Sequence, residues 1–175
     1  MQSLSHLSKQ YIMLTDWYLS VLEGINDEDG SKAINEQTNS LEWIAGHLNV
    51  GRYRNMLRLG LQPQTYKHLD KFINQSAPPP NAIAFNKDTL YPSLVESKEQ
   101  WTAYSKIFLE RLQNNDEAIL KTPIPFNVPT GGNTVEDALV FVALHETYHI
   151  GQISIIRKTL GYSSMQFAPR VKMAI

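Results

Sequence analysis

Apolar residues at Leu4, Leu7, Tyr11, Leu14, Tyr18 and Val21 recur at alternating steps of three and four, and the run stops at Gly24 ahead of the polar stretch NDEDGS. This spacing puts one apolar stripe on a helix and predicts a first amphipathic helix with a defined end. A second pattern begins near Asn39, whose side chain can cap a helix with Glu42 three residues on, and continues through Leu41, Ile44, Leu48 and Leu57 to Gly60. A third runs from about Ser97 through Trp101, Tyr104, Phe108 and Leu112 towards Asn115, with Gln100 completing a capping box. The fourth follows PTGGNT, where Asn133 or Thr134 supplies the cap and Glu136 and Asp137 suit the positive end of the helix dipole; it ends at Gly161, after Lys158.

Four helical patterns without an alternating strand pair predict an all-α four-helix bundle. The connections are uneven. Residues 61–96 make a long crossover between helices two and three that contains APPP, which cannot be helical, although QTYKHLDKFI before it suits a short helix. The Pro- and Gly-rich segment LKTPIPFNVPTGG reads as a structured loop with little regular ladder. At 175 residues and 42% hydrophobic composition, the chain is expected to form a single domain over 1–175 with one core.

Composition narrows the chemistry. A net charge of -1 with scattered basic residues argues against a nucleic-acid partner. With no cysteine, disulfides, thiolate-bound metal and a thiol nucleophile of the chain's own are all excluded, so any metal must sit on His, Asp or Glu. No basic leader followed by an apolar run opens the sequence and no continuous apolar segment reaches spanning length, so a soluble, cytoplasmic protein without a membrane partner is expected.

Within the fourth helix, ALHETYHIGQI carries His145, Glu146 and His149 in the H-E-x-x-H spacing of zinc peptidases. At about 100° per residue and with His145 at zero, His149 falls at about 40°, Ala138 and Ile156 at about 20°, and Gln152 at about -20°. The histidines are therefore expected to interrupt the stripe that faces the bundle interior. Buried imidazoles need partners, which hydrogen bonds to Tyr, Gln or backbone supply in one reading and a single metal ion in the other, since side chains four residues apart converge. On helix two, His47 lies four residues after Trp43 and three before Val50, on an inward edge, making His47, His145 and His149 a candidate three-histidine site. His6 and His68 are read as solvent-facing.

A peptidase is disfavoured because no Glu, Asp or His follows Ile150 to act as the third ligand, and the extended motif's glycine and last histidine would fall at Gln152 and Ile155. Glu146, at about 100°, is either a base or ligand-orienting group at the edge of the metal-facing stripe or a surface carboxylate. Gln152 lies on the stripe, as an orienting group or a satisfied core amide.

The segments SLEWIAGHLNVGRYRNML and TVEDALVFVALHETYHIGQISIIRKTLG, with His47, His145, His149 and the pair Gly151-Gln152, resemble the DinB-like (DinB/YfiT-like) family of four-helix-bundle metalloenzymes. The resemblance covers nearly the whole chain. It implies a bundle with one long crossover, a divalent metal such as zinc or nickel on His47, His145 and His149, and frequently a homodimer. Ile150 departs from the family, many of whose members have Arg there. Characterised branches look like enzymes that join a low-molecular-weight thiol such as bacillithiol or mycothiol to an electrophile. The resemblance thus leads to a thiol-dependent transferase in which the 61–96 crossover shapes the electrophile pocket. Two alternatives stand beside it: a metal-dependent hydrolase with Glu146 assisting as base, and a non-catalytic dimeric metal-binding or stress-related protein.

Overall fold

The computed structural model describes residues 2–74, 81–114 and 117–168. The helices are α1 (Gln2–Leu22), α2 (Leu41–Arg58), α3 (Leu94–Gln113) and α4 (Val135–Thr159). Three starts are fixed by hydroxyl caps. Ser40 accepts from Trp43 N, so the α2 cap is one residue later than the Asn39 expected. Ser93 and Glu96 form a reciprocal capping box, which starts α3 a full turn before the Ser97 and Gln100 pair that the sequence offered. Thr134 and Asp137 do the same for α4, and Gly60 and Gly161 take positive φ just beyond α2 and α4.

The dominant contacts pair α1 with α3 and α4, and α2 with α3 and α4. Around the bundle the order is α1–α3–α2–α4, so α1 faces α2 across a diagonal, as α3 faces α4. The loop joining α1 to α2 therefore spans one end of the bundle, as does the loop joining α3 to α4. Only α2 and α3 are neighbours both in sequence and in space, and they are joined by the long crossover. That crossover holds a 3-10 turn at Leu69–Lys71 and strand β1 (Ile73–Asn74), antiparallel to β2 (Asn81–Ala82) with Ile73 opposite Ala82. This short ladder was not expected, and the APPP stretch lies outside the described residues. Phe72 anchors the crossover: its ring occupies the space a side chain would fill at Gly46, where an added Cβ would come within 2.2 Å of the ring.

The core is aromatic and cross-tied. Tyr18 stacks on Trp101 with centroids 4.1 Å apart, and its hydroxyl donates to Ala45 O at 3.1 Å. Tyr11 Oη donates to Leu139 O at 2.6 Å and accepts from Asn55 Nδ2 at 3.0 Å. The buried face of α4 comprises Val135, Ala138, Leu139, Val142, Ala143, Glu146, His149, Ile150, Ile153, Ile156 and Arg157. Its centre is thus rotated away from His145 towards Glu146. Of the two histidines expected to interrupt the inward stripe, His149 is buried within it and His145 is half-buried on the flank that faces α2. Outward on α4, Val140, Leu144, Tyr148 and Ile155 are exposed. Among the described helices only α4 is long and apolar enough to cross a membrane by length and composition. In the bundle its inner face is taken by α1 and α2.

At the centre of the bundle lies a charge pair. Arg52 of α2 is fully buried, and its Nε and Nη2 donate to Glu146 Oε1 at 2.7 Å and Oε2 at 2.9 Å. Nη1 reaches Thr15 Oγ1 at 3.1 Å and Ser105 Oγ at 3.4 Å, and Nη2 also reaches Tyr11 O at 3.4 Å. The guanidinium lies 4.2 Å from the Trp101 ring centroid and 4.8 Å from that of Tyr11. One side chain from α2 is thereby bound to α1, α3 and α4. Replacing Arg52 by Met strands a carboxylate in the core, and Glu146→Gln removes the charge that balances the guanidinium. Each change is expected to lower stability by about 3–5 kcal/mol, whereas Arg52→Met with Glu146→Met should lose less than the sum of the two single apolar changes. Urea unfolding of the four proteins in that double-mutant cycle measures the coupling; additive losses would show that the pair does not tie the helices together.

Candidate metal centre

His47 is delivered by α2, one residue after the glycine on which Phe72 rests, and its ring stacks on Trp43 with centroids 4.7 Å apart and planes 9° from parallel. His145 and His149 come from consecutive turns of α4. All three rings point their Nε2 atoms at one spot: His145 Nε2 lies 3.3 Å from His47 Nε2 and 3.1 Å from His149 Nε2. The ligand atoms of the set fall within 4.8 Å of one another. Two nitrogens bound tetrahedrally at about 2.0–2.1 Å stand about 3.3–3.4 Å apart, so these separations match a shared zinc-like ion.

The tautomers support the same conclusion. His149 Nδ1 lies 2.7 Å from Gln152 Oε1, an acceptor, which assigns the proton to Nδ1 and leaves a lone pair on Nε2. Gln152 is itself oriented by donating from Nε2 to Tyr148 Oη at 2.9 Å. A single proton on His145 Nε2 can point well at only one of its two neighbours, whereas a cation satisfies all three nitrogens. Burial, together with the neighbouring His145, His149 and Arg54, lowers the His47 pKa to about 3. Burial and His149 lower that of His145 to about 4. Burial also lowers that of His149, against the opposing hydrogen bond to Gln152. Neutral imidazoles are the form that binds metal.

His47, His145 and His149 form one cluster, and Gln152 touches it through His149. His6 is exposed; His68 is half-buried in the crossover near Glu96, and neither joins the cluster. Glu146 departs from both readings given above, because it is neither beside the cluster nor on the surface. It is 0% exposed and both its oxygens are engaged by Arg52. Burial pushes its carboxyl pKa up, and the guanidinium charge opposes this. The reason is rotational: one residue along a helix turns the side chain by about 100°, from the α2-facing flank into the bundle centre. Arg52 escaped the sequence reading, although its position carries a signal. It continues the inward series Ile44, Leu48, and a charge on an apolar stripe calls for a buried partner of opposite sign.

A cavity of about 630 Å³ opens beside the cluster, with His47 and His145 in its wall. Val50, Gly51, Arg54, Leu57 and Arg58 line it from α2, and Ala138, Phe141 and Val142 from α4. The loop before α4 closes it with Phe126, Asn127, Val128 and Pro129, while Ala82 is the one described crossover residue that reaches it. Ala82 of the 61–96 crossover thus reaches the pocket, and the 126–129 loop, to which the sequence does not point, supplies more of the described wall. No acidic side chain is among the described lining residues.

A helical bundle that gathers neutral imidazoles from two facing helices beside an open cavity has the arrangement with which bundle proteins can hold a metal ion. The chain belongs to the DinB superfamily, whose model it matches over residues 11–153. Among solved structures it is similar to one described as "YfiT from Bacillus subtilis is a probable metal-dependent hydrolase with an unusual four-helix bundle topology". The TM-score is 0.61 at 16% identity, covering 91% of this chain and 89% of that one. At this identity the likeness establishes the bundle fold. No curated protein sequence matches the chain.

Zinc added to metal-free protein should bind at about one ion per chain, with stoichiometric binding lost in His47→Ala, His145→Ala and His149→Ala. Gln152→Ala should keep the stoichiometry and weaken affinity by about ten- to a hundredfold, because the tautomer and aim of His149 are no longer fixed. Histidines held at pKa values of about 3 and 4 when folded, against 6.5 for the free side chain, mean that the unfolded chain binds more protons below pH 6.5. Metal-free protein should therefore lose stability as pH falls from 6.5 towards 4, and His47→Ala should flatten this slope. Thermal unfolding between pH 7 and pH 4 tests both statements.

Proposed function

We propose that the chain is a divalent-metal-dependent transferase that joins a low-molecular-weight thiol to a small electrophile. The observation that carries this reading is the combination of three converging imidazoles with a largely apolar cavity that has no carboxylate among its described lining residues. Zinc or nickel held by His47, His145 and His149 supplies positive charge that lowers the pKa of a thiol delivered to it. The chain's own residues do the rest. Gln152 fixes the His149 tautomer, Trp43 holds the plane of His47, and Phe126, Val128, Phe141 and Val142 keep water from the cavity wall. A thiol, with an unperturbed pKa of about 8.5, needs little help to ionise at neutral pH. As the chain has no cysteine, the sulfur must arrive with the cosubstrate.

Metal-dependent hydrolysis is the second reading, favoured by the description given to the YfiT structure. Water is far less acidic than a thiol and benefits more from a protein base. Glu146, the carboxylate that reading assigned, is held in the core by Arg52. The homodimer belongs to the proposal too, supported by the exposed stripe of Val140, Leu144, Tyr148 and Ile155 on α4, which a two-fold contact would cover on both copies.

The test is turnover of a chloronitrobenzene by the zinc- or nickel-loaded protein with bacillithiol, mycothiol or glutathione. A carbon–sulfur bond forms, chloride leaves, and the thiol proton passes to solvent. Thiol-dependent chloride release that is lost in His145→Ala is expected. Ester or amide turnover at full metal occupancy with no thiol present would replace this reading with the hydrolytic one. Light scattering should give twice the chain mass, and Leu144→Glu should return it to one.

A further inference from the structure

We propose that the cavity beside the histidine cluster binds a small molecule with an apolar body and a terminal oxyanion, which Arg54 and Arg58 receive. This rests on the reading that the cavity serves the metal centre, and it specifies the substrate class for either nucleophile.

The placement follows from the period of α2. Arg54 lies seven residues after His47 and Arg58 eleven after, so all three side chains leave nearly the same face of the helix, about 10 Å and about 16 Å apart along its axis. Both arginines line the cavity that has His47 and His145 in its wall, and both are half-buried. Val50, Leu57, Phe126 and Val142 are apolar walls of the same cavity. The Arg54 charge is near enough to act on His47, and Arg58 stands one turn further along α2 beside Phe126, so a molecule in the cavity meets imidazoles, hydrocarbon walls and guanidinium groups.

Burial lowers the pKa of Arg54, and burial with the nearby Arg54 charge lowers that of Arg58; an anion bound against both guanidinium groups acts in the opposite sense. Arg58 is partly fixed: Nη1 donates to Asn55 Oδ1 at 2.7 Å and the guanidinium stands 5.8 Å from the Phe126 ring centroid. A planar group with five donors retains further donors after one such bond, and its geometry suits the paired oxygens of a carboxylate or phosphate. The apolar walls disfavour a ligand that is polar throughout, because its groups would go unpaired against them.

Phenylhexanoate, phenylhexyl phosphate and the neutral phenylhexanamide, titrated calorimetrically into zinc-loaded and chelator-treated protein, test the proposal. At least one of the two anions should bind about tenfold or more tightly than the amide. The tighter of the two tells carboxylate from phosphate. Arg54→Gln and Arg58→Gln should each weaken that anion by about the same factor and leave the amide within about threefold, while both variants still bind one zinc and unfold as the parent does. Chelation should leave anion affinity within about threefold. Equal binding of acid and amide, or no measurable binding of either anion, would overturn the proposal. So would an affinity that vanishes on chelation but ignores both arginine changes, because the anion would then be sitting on the metal. Zinc stoichiometry is read separately, so a failed anion site is distinguishable from a failed metal centre.

Discussion

The bundle turns on a single ion pair. Arg52 and Glu146 are both removed from water, and each is tolerated there only because the other, with Thr15, Ser105 and the Tyr11 carbonyl, satisfies it. An apolar pair of similar volume could fill the space as well. The ionic pair adds direction: a guanidinium fork meets a carboxylate in one orientation. That orientation sets the rotation of α2 and α4 about their own axes.

Rotation is what the metal centre needs. His145 is bonded to Glu146 along the chain, and Arg52 follows His47 by little more than one turn. Once Glu146 points into the middle, His145 and His149 are turned to the flank that faces α2, where His47 waits against Trp43. The polar centre and the histidine cluster are thus two readouts of the same helix setting, one structural and one chemical. The cavity lies beside the cluster because the flank, unlike the middle, is only half covered.

Much of this was legible in the letters. The four periodic segments announced the bundle, and His47, His145, His149 and Gln152 could be grouped by their helical phase. The starts of α2 and α3 differ from the sequence reading because Ser40 caps in place of the adjacent Asn39, and because Ser93 with Glu96 caps a full turn before Ser97 with Gln100, contests that local sequence does not decide. Glu146 fits neither the metal-edge nor the surface reading, because its phase belongs with the buried Leu139, Val142 and Ile150. Arg52 went unnoticed because a buried charge is recognisable only with its partner, and that partner lies 94 residues away. The pocket-forming role of residues 126–129 was hidden for a related reason: a loop rich in Pro and Gly shows where regular structure ends, and not which cavity it covers.

The diagonal placement of consecutive helices also bears on how the protein matures. His47 and His145 are 98 residues apart in the chain, and α2 has α3 as its only neighbour in both sequence and space. Neither the ion pair nor the imidazole cluster can form within a local hairpin, so both wait for α4 to close the ring, a topology that slows folding by making its decisive contacts non-local. A growing chain on the ribosome presents His47 without its two companions until nearly the whole sequence has emerged. A metal held by His47, His145 and His149 would therefore meet its full ligand set only once α4 has joined α2.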